Sequence, residues 1–300
     1  MKITGLVPAA HSPFTESGAL DLNGVTSQVA HYQRFGLKTA FICGSTGESH
    51  SLKAAERKAI AEAWMDETKG KGIDVIVHVG SNCVDDACEL AAHAEKIGAK
   101  AFSALTPSYF KPANVDLLLA LTAKIAAAAP SLPFYFYDIP ALTGVNLPMD
   151  EYLEKANGKI PNLAGIKFTN PDLMQFQLAR RACGGRFDLP FGNDEFFLAA
   201  YALGAKGAVG STFNFAPNIY LRMMAAFDRG DHEAAREEQF RSVLLVKALA
   251  KRGYLGASKA LLRELGCQVG YTRLPLGNPS AEVIKELLAE LKAIGYFEWR

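Results

Sequence analysis

The sequence has almost no net charge. Its 32 Lys and Arg residues are matched by 31 Asp and Glu over 300 residues. No field of one sign therefore draws it to nucleic acid or to an anionic membrane. Cysteine is sparse and unpaired: Cys43, Cys83, Cys88, Cys183 and Cys267 are odd in number and contain no CxxC spacing. That argues against a disulfide framework and against a structural zinc site. The six histidines, His11, His31, His50, His78, His93 and His232, show no HExxH or other paired spacing, so no metal is expected. No apolar run approaches the roughly 20 residues that span a bilayer. The opening MKITGLVPAAHSPF lacks a basic-then-apolar leader. A GxGxxG dinucleotide fingerprint and a Gly-Lys-Ser/Thr phosphate loop are also missing. These absences leave the expectation of a cytoplasmic protein that handles a small molecule or another protein.

Hydrophobic residues make up 49% and charged residues 21%, the balance of a globular protein with a sizeable core. Eight short apolar runs alternate with helical patterns. The runs are ITGLVPA (3–9), KTAFIC (38–43), DVIVHV (74–79), AFSALT (101–106), PFYFY (133–137), LAGIKF (163–168), FDLPFG (187–192) and GAVGS (207–211). Helices are expected from Asp21 to Phe35, from Ser51 to about 70, from Asp85 to Ile97, from Asn114 to Ala128, from Pro171 to Ala182 and from Glu195 to Leu203. Eight strand–helix units predict a parallel sheet closed into a (β/α)₈ TIM barrel over 1–225. An open doubly wound sheet is the competing arrangement. The rest, 226–300, reads as helices alone, a C-terminal helical appendage. No internal repeat interrupts the pattern.

Strand residues in a barrel alternate between interior and helix layer. In LAGIKF the large apolar Ile166 and Phe168 suit the helix side, so Gly165 and Lys167 point inward, with space left beside the lysine by the glycine. In PFYFY the same reasoning sends Tyr135 and Tyr137 inward. Tyr137 and Lys167 each close their strand, on consecutive strands, at the C-terminal rim where barrel active sites sit. An inward lysine beside a phenol suggests imine chemistry: a desolvated amine attacks a carbonyl, and the phenol relays protons. The plainer alternative is a lysine reaching to solvent at a strand end beside a hydrogen-bonded rim tyrosine.

The turn CGSTGESHS (43–51) follows the second strand. Gly44 and Gly47 permit a tight turn with N–H groups facing one point, and Ser45 and Thr46 add hydroxyls. Such a nest suits a carboxylate or phosphate. An ordinary strand-to-helix turn capped by Ser49 or Ser51 reads the same residues without a ligand.

Four motifs in order, GSTGE (44–48), YDIPALTG (137–144), GIKFT (165–169) and GNDE (192–195), with RLPL at 273–276 in the tail, resemble the dihydrodipicolinate synthase / N-acetylneuraminate lyase family of pyruvate-dependent class I aldolases. The resemblance runs the whole length. It implies a (β/α)₈ barrel, a homotetramer, a Schiff base between lysine and pyruvate, and no metal or organic cofactor. By motif position it implies imine formation at Lys167 and acid–base work by Tyr137. Tyr109, in TPSYF, completes the relay, from a neighbouring subunit in one arrangement. Ser45 and Thr46 would hold the pyruvate carboxylate, and Thr169, Gly192, Asp194, Glu195 and Ser211 the sugar hydroxyls.

The phrases FICGSTGES, AAAAPSLPFYFYDIPALTGV and GAVGSTFN are most similar to the sialic-acid branch. Leu142 points the same way. The synthases typically carry arginine there for a second carboxylate, and leucine cannot pair with one. Asp194 and Glu195 suit sugar hydroxyls and would repel a diacid; acid residues supplied to a helix N-terminus are the alternative. The expected reaction is reversible aldol cleavage of N-acetylneuraminate to pyruvate and N-acetylmannosamine. A dihydrodipicolinate synthase or a keto-deoxy sugar acid aldolase is the second reading, and a non-catalytic sugar-acid-binding barrel the third. Asp138 departs from the branch, where asparagine or histidine is usual, and its added charge bears on the tyrosine or on the aldehyde accepted.

Overall fold

The computed structural model describes residues 2–299. Among these, seven strands form parallel ladders: β1 (Gly5–Pro8), β2 (Thr39–Ile42), β3 (Asp74–His78), β4 (Ala101–Ala104), β5 (Phe134–Asp138), β6 (Leu163–Phe168) and β7 (Gly207–Gly210). β2 to β6 pair in chain order, and β1 pairs with β7. Single bridges close the gaps. Ala9 bridges Phe41 between β1 and β2, while the segment 188–191 bridges β6 through Gly165–Asp188 and Phe168–Phe191 and β7 through Phe191–Ala208. The ring therefore closes with eight members, as a (β/α)₈ barrel. The eighth member, within the expected run FDLPFG, lacks a regular ladder because Pro190 has no N–H to give. Its other groups do pair: Asp188 accepts from Ile166 at 2.9 Å and donates to Ala164 at 3.0 Å, and Gly192 donates to Phe168 at 2.8 Å.

The pleat sorts side chains as the alternation requires. Val7, Phe41, Ile76, Ala101, Tyr135, Tyr137 and Val209 share the barrel interior. Ala40, Ile42, Val75, Val77, Phe102, Phe134, Phe136, Ile166 and Phe168 face the helices. Full burial stabilises each large apolar side chain by roughly 1.5–3 kcal/mol. Gly165 has a different purpose from the one its neighbourhood suggested. A Cβ there would lie 1.8 Å from the Asp188 carbonyl oxygen. The glycine lets the eighth segment approach β6, and the backbone of 188 occupies the space expected beside the lysine.

One helix starts where expected, at Asn114, and others differ in detail. Asn114 caps Val115–Ala127 by accepting from Leu117 N–H. Ser49–Ser51 takes a 3₁₀ turn, so the next helix begins at Ala54 instead of Ser51. Asp172, not Pro171, caps Leu173–Arg181. Met149–Ala156 and Pro217–Asp228 are helices that apolar periodicity did not single out. The tail folds as His232–Ala250, Tyr254–Glu264, Ala281–Ala293 and Tyr296–Trp299. Its Leu245, Leu249, Leu261, Leu287 and Leu291 join the same apolar cluster as the barrel's outer face. Among the described residues, no helix is long and apolar enough to cross a membrane.

Candidate active site

β5 and β6 pair with Tyr137 opposite Lys167. Both residues are buried at the C-terminal end of the barrel interior. The Lys167 ammonium nitrogen lies 3.8 Å from the centroid of the Tyr137 ring and 4.1 Å from that of Phe41 on β2. Among the described residues it has no carboxylate within ion-pair distance. His78 completes this layer, with its ring edge-on to Tyr137 at 5.7 Å. The imidazole Nδ1 lies 2.9 Å from the Cys43 carbonyl, and Leu105 N–H approaches Nε2 at 3.4 Å. That places the proton on Nδ1. Burial, reinforced by the nearby Arg57, holds His78 well below its ordinary pKa. The lysine thus sits in an aromatic cage with a neutral imidazole behind it.

The turn 44–48 follows β2. Its glycines serve close approach: a Cβ at 44 would lie 2.6 Å from the Phe41 ring, and one at 47 would lie 3.1 Å from the Cys43 backbone. The left-handed conformations belong to Cys43 (φ 55) and Glu48 (φ 54). Ser45 Oγ stands 3.5 Å from the Tyr137 hydroxyl, at the outer limit of hydrogen bonding. Thr46 is buried beside it. Ser45 and Leu142 line one cavity of about 220 Å³ together with Ser49, His50, Ser108 and Thr143. Leu142 is 62% exposed at its mouth.

Beneath this turn lies a charge pair that composition did not reveal. Lys259, on the tail helix Tyr254–Glu264, meets Glu48 at 2.6 Å, and both side chains are 0% exposed. The ammonium also donates to the carbonyls of Ser12 at 2.7 Å and Tyr271 at 2.5 Å. Burial lowers the Lys259 pKa to about 8, against the opposing pull of Glu48. The second Glu48 oxygen accepts from Arg273 N–H at 3.0 Å. The Arg273 guanidinium forks onto both oxygens of Glu56 at 2.8 and 2.6 Å, so RLPL anchors the tail here.

The third group stands past β6 and β7. Thr169 Oγ1 is buried and, among the described residues, has no hydrogen-bond partner. Its amide donates to the Asp138 carbonyl at 2.8 Å. Gly192 faces it, since a Cβ at 192 would lie 1.8 Å from that hydroxyl. Gly210 makes equal room for Asp194, whose Oδ1 lies 1.8 Å from where a Cβ at 210 would be. Asp194 Oδ2 accepts from the Thr212 amide at 2.8 Å and the Thr212 hydroxyl at 2.6 Å. Burial raises its pKa to about 6 against those two bonds. Part of the acceptor capacity expected for a sugar is therefore already spent inside the protein. Gln239, on the tail, holds this segment by donating to the Asp194 carbonyl at 3.1 Å and accepting from Leu198 N–H at 2.6 Å. Glu195 is half-buried and lines a cavity of about 460 Å³ with Pro171, Leu173, Phe196 and Gln239. Ser211 Oγ pairs with the Tyr254 hydroxyl at 2.7 Å, a tail residue that motif reading passed over.

Two further residues stand apart. Asp138 is buried, and desolvation raises its pKa to about 7, with Asn170 Nδ2 donating to it at 3.2 Å and pulling the other way. Tyr109 is 79% exposed, with its ring edge-on to Phe110 at 4.9 Å. Within one chain it is not brought to Tyr137.

A dihydrodipicolinate synthetase family model matches residues 2–294. The chain is 37% identical to N-acetylneuraminate lyase of Rattus norvegicus, over 99% of this chain and 94% of that one. It is 38% identical to the Gallus gallus lyase, over 98% and 96%. Among solved structures, the Proteus mirabilis N-acetylneuraminate lyase superposes with a TM-score of 0.95 at 37% identity, covering 99% of this chain and 100% of that chain. A Cyanidioschyzon merolae dihydrodipicolinate synthase with lysine bound superposes at 0.90 and 32% identity, covering 98% of each.

Proposed function

The chain belongs to the dihydrodipicolinate synthetase family, and within it we propose that this protein is a carbon–carbon lyase that reversibly cleaves N-acetylneuraminate to pyruvate and N-acetylmannosamine. The observation that carries the reading is the Lys167 amine held against the Tyr137 ring at the barrel rim. The choice of substrate is supported by the likeness to sialic acid lyases and by Leu142, which offers no cation to a second carboxylate.

The steps follow from the placement of these groups. The unprotonated Lys167 amine adds to the C2 ketone of the open-chain sugar acid, and loss of water with uptake of one proton from solvent leaves a protonated imine. Ser45 and Thr46 bind the adjoining carboxylate. The C4 hydroxyl gives its proton to the Tyr137 oxygen as the C3–C4 bond breaks, while Tyr137 passes its own hydroxyl proton to the substrate carboxylate. The electron pair of that bond enters the imine, leaving an enamine and releasing the aldehyde of N-acetylmannosamine. Tyr137 gives a proton to C3 and recovers one from the carboxylate, and water hydrolyses the protonated imine to free pyruvate and amine, returning one proton to solvent. The imine is itself the electron sink, so no metal or organic cofactor takes part. Thr169, whose hydroxyl has no partner among the described residues, and Glu195 contact the sugar hydroxyls. Asp194, Gly192 and Ser211 shape that wall.

The working unit in this reading is a cytoplasmic homotetramer. The exposed Tyr109 then reaches the neighbouring subunit's Tyr137 and completes its proton relay. The division into a catalytic barrel, 1–225, and a helical tail, 226–300, belongs to the same proposal. Borohydride reduction in the presence of pyruvate should add a pyruvyl mass at Lys167. Pyruvate release from N-acetylneuraminate should vanish in Lys167→Ala. An unmodified Lys167 after reduction would sink the imine mechanism.

A further inference from the structure

We infer that Lys259 is a positioning residue for the keto acid: by holding Glu48, it fixes the turn that presents Ser45 and Thr46. The inference rests on the imine reading above and extends it to a residue that touches neither substrate nor Lys167.

Three observations lead there. The ammonium's three hydrogen-bond capacities are all spent on this corner of the fold: Glu48 Oε1, the Ser12 carbonyl and the Tyr271 carbonyl. Its side chain is fully buried, so removing the cation would leave a fully buried carboxylate without its ion-pair partner. Glu48 is also the turn's last residue, in the left-handed region at φ 54, a conformation that surroundings must impose on a residue with a Cβ. Its amide donates to the Ser45 carbonyl at 3.0 Å and closes the turn. From the other side, the Ser12 hydroxyl donates to the Gly47 carbonyl at 2.6 Å, and Ser12 is the residue whose carbonyl Lys259 holds. One ammonium therefore locks both the anchor and the turn, whose opposite end places Ser45 Oγ 3.5 Å from the Tyr137 hydroxyl. The wall for the sugar, Thr169 to Glu195, is held by separate contacts, with Thr212, Gln239 and the Asp138 carbonyl.

The arrangement predicts an effect confined to one substrate. In the synthetic direction, Lys259→Met should raise the KM for pyruvate by about tenfold or more and leave the KM for N-acetylmannosamine within about twofold. The pyruvate concentration that half-saturates borohydride trapping at Lys167 should rise by the same factor. Because the single variant leaves a bare buried carboxylate, the charge-free pair Lys259→Met with Glu48→Gln is measured beside it, and the same split is expected. A merely structural lysine would lower Tm and the yield of active protein but leave the half-saturating pyruvate of the folded fraction unchanged, and that result would overturn the inference. So would an equal rise in both KM values. Failure of wild-type protein to trap pyruvate at all would instead bring down the imine reading itself, which keeps the two failures apart.

Discussion

The hydroxyl of Thr169 occupies the space that a side chain on residue 192 would need: a Cβ on Gly192 would stand 1.8 Å from it. Gly192→Ala must therefore rotate or displace Thr169. The expected outcome is a rise in KM for the sugar acid of about tenfold, comparable to the roughly 1–3 kcal/mol of an overpacked site, with pyruvate trapping at Lys167 unchanged. Steady-state cleavage kinetics beside borohydride trapping check it. A normal sugar KM would show that Thr169 does not contact that substrate.

Tyr137 and Lys167 are paired across adjacent strands, and the proposed reaction gives them separate tasks. Tyr137→Phe keeps the ring beneath the amine and removes only the proton carrier. Imine trapping with pyruvate should survive, while kcat for cleavage falls by roughly 10²–10⁴. Mass spectrometry and pyruvate release, run on the same preparation, read the two effects. Loss of trapping together with kcat would assign the phenol to imine formation instead.

Asp138 carries a pH signature. Its folded pKa of about 7 lies above the ordinary 3.8, raised by burial. Between those values the folded state binds more protons than the unfolded one, so its share of stability is present below the lower value and is lost as pH rises to the upper one. Asp138→Asn escapes that loss. The variant should gain little at pH 4 and on the order of a few kcal/mol at pH 8, seen as a Tm difference that grows across the interval and then levels. A difference independent of pH would count against a titrating buried carboxylate.

Gly165 tests the seam of the barrel. Its missing Cβ would meet backbone, the Asp188 carbonyl at 1.8 Å, which cannot swing aside as a side chain can. Gly165→Ala should cost about 3 kcal/mol or more, read by urea denaturation. Loss of activity should go no further than loss of folded protein.

Much of the fold and the placement of Tyr137 beside Lys167 was legible in the sequence because both rest on local rules. Period-two alternation in PFYFY and LAGIKF settles which side chains face inward, and the order of eight apolar runs settles the ring. Contacts between distant segments were not legible. The lysine in GASKALL lies in a helix, which ordinarily turns one polar residue outward, so nothing local marks it as buried. Nothing local reveals that Glu48, 211 positions away, meets it. Gly165 was misread for a similar reason: its empty side belongs to the backbone of residue 188. Asp194 was seen as an acceptor, but its engagement by Thr212 depends on the turn after β7.

The Lys259–Glu48 pair also limits how the chain can be shortened. A protein cut after residue 225 would keep every group drawn in the reaction, yet it would strand a buried carboxylate beneath the turn that carries two of them. Breaking such a pair costs about 3–5 kcal/mol, a large part of an ordinary domain's whole stability. The barrel and its tail are thus a single inheritance. A graft of this tail onto a related barrel succeeds only where the recipient supplies the matching acid at the end of its own second-strand turn.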